Sequence, residues 1–460
     1  MNRRDLFKLV GKIGVIAAAK AVSWPVLDRL GVSGEEWIAE AASMPQNYVV
    51  RQPTLITDFS STTGMNLTQG TGTVALDTDP TKIRTGTASL KIVQQASSSS
   101  AICDLDTRNA AFGGSGAEGF NAAQDNLWHL RCFVDTPANQ NNLSFFVSND
   151  TTAFTNYFTQ NVMGPQIGSS YPGYWWDRVE NRKDWTVASG APSWSSPVRY
   201  IRIRPNANAN GALTTWLDAL YRGGYARPKV VISFDDGSDG QYTIAKPILD
   251  MYGLKGTFYV IGDTISRNVS GVMTQAQVDA LYAAGHDISY HAWTNSDHNS
   301  YSILSEAQYR ASSQNFQAWA SARGYERSRW HHAMPTGYTS STVQSVLSSE
   351  GYLTGRSTLR LLQNHVVGLD NPRFLRGWAW SSTDGTAGPI GWINNAITYG
   401  TTLLLTFHSF HATVSSGQQC SAADFTTIMQ HIYRCQQANL IDVPVQSEWY
   451  TGITFPRHKR

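Results

Sequence analysis

Val230-Val231-Ile232-Ser233-Phe234-Asp235-Asp236-Gly237 decides the reading of this chain. An apolar run of strand length ends on two adjacent carboxylates and a glycine. Two like charges at the exit of a buried strand repel each other. They are tolerated where a cation, a shared proton or a polar cleft compensates them. An ordinary Asp-Gly turn closing a strand is the simpler reading of the stretch by itself, so its surroundings decide.

Downstream of residue 228, strand-like and helix-like segments alternate. Strands are expected at 230–234, 257–261, 287–290, 332–334, 352–356, 374–378, 403–407 and 441–445, with helices between most of them. Thr274 with Gln277, Ser305 with Gln308, Ser341 with Gln344 and Ser421 with Asp424 have the spacing of capping boxes. Gly253, Gly285 and Gly324 follow helical patterns as C-terminal stops. Repeated βα units imply a parallel sheet, and seven or eight of them an irregular (β/α) barrel of α/β class. In such a barrel the C-terminal strand ends share one mouth. Asp235 and Asp236 follow the first strand, His291 the third and His408 the run Leu403-Leu404-Leu405-Thr406-Phe407. Ten of the 11 histidines lie beyond residue 280. Carboxylates and imidazoles converging on one mouth suit a divalent ion such as Zn²⁺ with an open position, and hence hydrolysis.

Residues 48–222 read differently. Short alternating strands are separated by Gly, Ser, Asn and Thr clusters, which argues for an all-β sandwich preceding the barrel. Arg199-Tyr200-Ile201-Arg202-Ile203-Arg204 alternates strictly, giving one apolar and one cationic face. The expected division is 1–46 leader, 47–224 sandwich and 225–460 barrel, with a short joint over 223–229. The formal net charge of +2 points to neither nucleic acid nor an acidic membrane. The 15 Trp and 20 Tyr suit carbohydrate stacking and β-rich cores equally well. Tyr174, Trp175, Trp176, Trp185 and Trp194 have both uses open to them.

Arg3-Arg4 before a short, weakly apolar stretch containing Lys12 and Lys20 resembles a twin-arginine export signal; the stretch is too short and charged to span a membrane. A periplasmic or extracellular location follows as an expectation. Cys103 and Cys132 lie in strand-like segments and are able to pair in an oxidising compartment. Cys420 and Cys435 flank a helical segment that would hold them about 20 Å apart, so free thiols are expected there.

The order of motifs in the barrel resembles the polysaccharide deacetylases, carbohydrate esterase family four. Ser233–Gly237 matches that family's Thr-Phe-Asp-Asp-Gly in all but the first residue. The resemblance makes Asp235 the base and Asp236 a metal ligand. His291 matches the first His of the second motif. The second His falls on Asn295, and a three-residue insertion restores it as His298; Asn295 and Asp297 are the weaker alternatives. His332-Ala333-Met334-Pro335-Thr336-Gly337-Tyr338 resembles the third motif with Ala333 where the family has an Arg that orients the base. Pro335 and Tyr338 then shape the groove, and Trp378 and Trp380 are placed to wall the acyl pocket or to fill the core. Thr406-Phe407-His408 matches the last motif and makes His408 the general acid. The sandwich resembles carbohydrate-binding β-jelly-rolls. The implied activity is metal-dependent removal of N-acetyl, or O-acetyl, groups from a polysaccharide. A catalytically degenerate glycan-binding surface protein is the rival.

Overall fold

The computed structural model describes residues 52–452, apart from 113, 115, 117, 124, 126, 151–153, 164–174, 359 and 361–371. The leader segment and Tyr174 lie outside the described residues, as does the side chain of Trp176.

The barrel strands are β1 (Lys229–Phe234), β2 (Thr257–Ile261), β3 (Asp287–Ala292), β4 (His331–Ala333), β5 (Thr354–Arg356), β6 (Trp378–Ala379) and β7 (Thr402–Phe407). They form one seven-stranded sheet in the order β5-β4-β3-β2-β1-β7-β6, every pairing parallel. The stretch entering β6 closes the ring. Leu375 bridges in parallel to Arg356, its N–H donating to Gly355 O at 2.6 Å and its carbonyl accepting from Ser357 N at 2.8 Å. Residues 441–445 form no strand and reach the sheet only through a bridge between Asp442 and Lys229. Seven strands, not eight, therefore build the barrel. The strand runs are apolar on both faces because helices cover the outside while the interior is packed. Ile232, Phe234, Phe258, Val260, Ile288, Leu405 and Phe407 share one core. Phe234 and Phe258 stack with centroids 4.5 Å apart.

Capping chemistry sets most of the helix starts as expected. Thr274 with Gln277 and Ser305 with Gln308 form complete capping boxes. Ser421 accepts from Asp424 N. Ser341 does not cap: Ser340 does, and the Gln344 amide turns instead to Thr339 Oγ1 and Arg373 O.

Residues 54–222 make two six-stranded antiparallel sheets. The first runs Thr73–Asp77, Ser89–Gln94, Leu213–Arg222, Leu127–Val134, Trp175–Asn181, with Thr54–Thr57 also on Leu213–Arg222. The second runs Thr186–Ser189, Tyr157–Met163, Gln140–Ser148, Tyr200–Ala207, Ile102–Asp106, Met65–Thr68. Alternate side chains of both meet in a core of Leu90, Trp128, Leu130, Phe145, Ile201 and Leu217 among others. Trp185 belongs to that core, and Trp194 packs against it, stacked on Phe158 at 4.3 Å. Trp175 is buried with Phe133 and Trp216. Trp175 and Trp185, both buried, present no open sugar platform. All four cysteines are buried and none is in a disulfide; Cys103 and Cys132 sit in the sandwich core on opposite sheets and are not bridged to each other. Tyr225, in the joint, donates from its hydroxyl to Ile397 O at 2.6 Å.

Four buried histidines are held neutral by their surroundings. Burial pushes His331 and His332 down to about 3, and His286 and His431 down to about 4. Each has a structural partner; His331 Nδ1 meets Thr354 Oγ1 and His332 Nε2 meets Tyr301 OH. The unfolded chain takes up these protons near 6.5, so folding is fully favoured above that pH and loses support as pH falls toward 3. Metal-stripped protein should melt at lower temperature at pH 5 than at pH 7, each of the four histidines contributing a loss of up to about 2 kcal/mol. An unchanged melting temperature would contradict the buried neutral assignment.

Candidate active site

The site starts where β1 stops. Asp235 still belongs to the sheet, its N–H donating to Phe407 O on β7 at 3.0 Å. Asp236 then turns into the left-handed region at φ 72°, followed by Gly237 at φ 79°. A non-glycine residue there is uncommon, though Asp tolerates it better than most. The turn sends the two carboxylates of one dipeptide to different partners, which removes their mutual repulsion.

Asp236 faces two imidazoles. Its Oδ1 lies 3.2 Å from His291 Nε2 and 3.3 Å from His298 Nε2. One donor atom from each of the three residues falls within 4.8 Å of the others. His291 lies inside β3, one residue beyond Tyr290, because the strand runs on to Ala292. His298 comes from a short helix, Asn295–Asn299, that opens with a capping box between Thr294 and Asp297. Asp297 is occupied by that cap, accepting from Thr294 N at 3.1 Å. The insertion expected from the spacing is thus one helical turn, and it delivers His298 rather than Asn295 or Asp297.

The orientation of the rings fixes their tautomers. His291 Nδ1 lies 2.7 Å from Ala333 O, and His298 Nδ1 lies 3.1 Å from Asn299 Oδ1. Both Nδ1 atoms are thus set to donate, and in the neutral rings this leaves both Nε2 lone pairs facing Asp236. Asp236 Oδ1 is buried and no N–H is aligned on it. Three lone pairs facing one point repel unless a cation lies between them. The spacing fits one: bonds of about 2.0–2.1 Å at tetrahedral angles separate neighbouring ligand atoms by roughly 3.3 Å. A charge-assisted hydrogen bond would be shorter, about 2.7–2.9 Å. Without a cation between them, protons on the imidazoles are the alternative compensation. Burial alone would raise the Asp236 carboxyl, but imidazole N–H groups turned to it hold it far below the ordinary carboxylate range. Burial likewise opposes protonation of His298, yet its contacts with Asp236 and Asn299 leave its pKa above the ordinary value.

Asp235 has a different environment. It is 2% exposed, and one Arg356 Nη2 lies 2.6 Å from each of its carboxylate oxygens. Arg356 ends β5 and is itself 1% exposed. The position at which the resembling family carries its Arg is Ala333, on the neighbouring strand β4. The guanidinium thus reaches Asp235 from one strand further round the barrel. Its sequence signal was a cation closing a short strand, at the end that faces the mouth. Gln241, 0% exposed, was also missed. Its amide donates to both Asp235 O and His408 O, tying the loops after β1 and β7 together. It begins a single π-type turn, Gln241–Ala245, a rare local form associated with functional sites.

His408 follows β7 with its Nε2 3.9 Å from Asp235 Oδ2 and its Nδ1 buried without a partner. Asp235, Asp236, His291, His298 and His408 therefore gather as the sequence implied. The groove residues divide. Pro335 is buried in the turn after β4, and Tyr338 is half-buried near Tyr301. Trp378 is half-buried against Trp392, centroids 4.2 Å apart. Trp380 is 2% exposed, packs near Phe407 and donates to Gly385 O at 2.8 Å. It is a core residue rather than a pocket wall, because β6 turns it inward beside β7.

Residues 222–355 match the family model described as polysaccharide deacetylase. The chain carries a polysaccharide deacetylase domain. The deacetylase domain also resembles solved structures of low identity. A family 4 carbohydrate esterase from Streptomyces lividans, in complex with acetate, is 19% identical over 50% of this chain and 99% of its own, with TM-score 0.32. A family 4 acetyl xylan esterase from Clostridium thermocellum, in complex with a cobalt ion, is 18% identical over 49% and 93%, with TM-score 0.34. A CE4 family pseudoenzyme from Bacillus anthracis is 13% identical over 50% and 67%, with TM-score 0.34. No curated protein matches the chain at the level of sequence.

The Asp235–Arg356 pair has a direct stability consequence. Arg356→Ala leaves a buried carboxylate without its cation and should cost about 3–5 kcal/mol in urea unfolding. A loss under about 1 kcal/mol would show that the pair is solvated in solution.

Proposed function

We propose that this protein hydrolyses acetyl groups, N-acetyl in the first instance, from a cell-envelope or extracellular polysaccharide, and that Asp236, His291 and His298 hold a divalent cation, Zn²⁺. The observation that carries this reading is the convergence of Asp236 Oδ1 and two imidazole Nε2 atoms beside a second, separately paired carboxylate. When bound, such an ion supplies Lewis acidity, polarising the acyl carbonyl and lowering the pKa of water.

The chain's own residues supply the proton transfers. Asp235 takes the proton from the attacking water, its carboxylate fixed in direction by Arg356. His408 donates a proton to the departing nitrogen or oxygen. Its 3.9 Å separation from Asp235 leaves the two side chains unbonded to each other and available to opposite ends of the reacting group. Gln241 holds the backbones of both residues at a set separation. Export through the Arg3-Arg4 segment is part of the proposal, since polymeric envelope glycans lie outside the cytoplasm. Among the described residues no helix is long and apolar enough to cross a membrane.

The rival reading, a degenerate glycan-binding protein, drew on a displaced histidine and a missing arginine. His298 and Arg356 occupy the places those two absences left, which favours catalysis. Acetate release from N-acetylated and O-acetylated oligosaccharides, compared at equal concentration, tests the proposal. N-acetyl turnover is expected, and zinc-loaded protein that releases acetate from neither would refute it. Asp235→Asn should retain zinc and lose about 10²–10⁴-fold in turnover; undiminished turnover would remove Asp235 from the role of base. Asn299→Ala, which frees the His298 ring, should weaken zinc binding about tenfold by competition with a chelating dye. Unchanged affinity would show that His298 needs no such support.

A further inference from the structure

The outward face of the second sandwich sheet carries the arginines of the strictly alternating strand Tyr200–Ala207, whose Ile201 and Ile203 point into the core. Arg202 is paired, its Nε and Nη2 each 2.7 Å from an oxygen of Asp104. Arg108, near the same face, is paired with Asp106. Arg204 is not paired. Among the described residues it has no carboxylate partner; its guanidinium lies 5.0 Å from the Phe146 ring centroid, and its Nε is buried without a hydrogen bond. Burial and the neighbouring charge of Arg202 push its pKa below the ordinary arginine value. The fold thus holds a cation where it is disfavoured, with only the Phe146 ring face and no carboxylate among the described residues to offset it.

Arg204 lines a groove of about 430 Å³, with Asn142, Phe146, Thr159, Asn161 and Asn206 on its walls. That volume is in the range of small-ligand sites. Arg204 is the only charged residue lining it. Asn206 is 9% exposed; its amide donates to Ser144 Oγ at 3.0 Å, while its Oδ1 is buried without a partner. The groove therefore offers one unpaired cation and one unpaired acceptor among neutral amides and hydroxyls. Beside it runs a strip of half-buried rings, Phe146, Tyr157, Phe154 and Tyr200, with successive centroids 5.6, 5.9 and 6.1 Å apart. Guanidiniums of Arg204, Arg202 and Arg108 lie over Phe146, Phe154 and Tyr200 at 5.0, 4.2 and 5.0 Å, so these rings back the cations of this face.

We propose that this groove binds an acidic polysaccharide, a uronic-acid carboxylate pairing with Arg204 while a hydroxyl of the same segment donates to Asn206 Oδ1. A single guanidinium matches one planar monoanion and its two oxygens. This site is distinct from the barrel mouth and does not depend on the activity proposed there.

The test uses the full chain in EDTA, by calorimetry, with a galacturonic acid hexamer as probe and its methyl-esterified form as the neutral counterpart. Neither carries an acetyl group. The acid hexamer should bind, and esterification should weaken it about ten- to a hundredfold, the worth of a charge-assisted pair. Arg204→Gln should produce a similar loss with little change in melting temperature, because Arg204 loses no carboxylate partner, only its place over the Phe146 ring. Arg323→Gln, an exposed cation on the barrel, should leave binding unchanged. Absence of binding by the acid hexamer, equal binding of the ester, or undiminished binding by Arg204→Gln would each overturn the proposal. Should Arg204→Gln fail to fold, the comparison of acid and ester on the unaltered chain decides alone.

Discussion

Three lone pairs aimed at one point govern this structure. Asp236 Oδ1 and the Nε2 atoms of His291 and His298 lie at separations too long for charge-assisted hydrogen bonds and suited to ligands sharing one small cation. Each is fixed by something behind it. The left-handed backbone of Asp236 aims the carboxylate, Ala333 O orients His291, and Asn299 orients His298. Such backing determines which nitrogen of a histidine is free to ligate. The arrangement is preorganised, so binding a cation need not rearrange the strands that carry it.

The second carboxylate of the dipeptide is handled in the opposite way. Asp235 is buried against Arg356, and both are almost wholly removed from water. A buried pair of this kind rarely adds net stability, because desolvating both ions offsets their attraction. What it provides is direction: the carboxylate is held in one orientation. The pair also ties β1 to β5 across the barrel, while Gln241 ties the β1 loop to the β7 loop. Positions of Asp235, His291 and His408 are consequently set by sheet geometry, while the capped helical turn Asn295–Asn299 sets His298.

Much of this was legible in the sequence. The apolar runs ending in Asp235, His291 and His408 placed those residues at one barrel mouth, because strands of a parallel barrel share a polarity. His298 was legible through the length of the insertion, which is one helical turn. Arg356 was not, because its partner is 121 residues away and only closure of the ring brings β5 near β1. Residues 441–445 read as a strand because they are apolar, but the ring had already closed through Leu375. Trp380 and Trp185 were ambiguous for a related reason. A tryptophan at a strand end suits a pocket or a core, and the neighbouring strand decides which. Arg202 and Arg204 look identical in sequence; only the position of Asp104 across the sheet separates the paired from the unpaired one.

The account rests on a cation held by these three side chains, and X-ray absorption on zinc-loaded protein measures that directly. It predicts one ion per chain with two imidazole nitrogens and oxygen ligands at about 2.0–2.1 Å, the imidazole signal halving in His298→Ala. Protein that retains no stoichiometric zinc, or a spectrum with the same imidazole count in that variant, would contradict it.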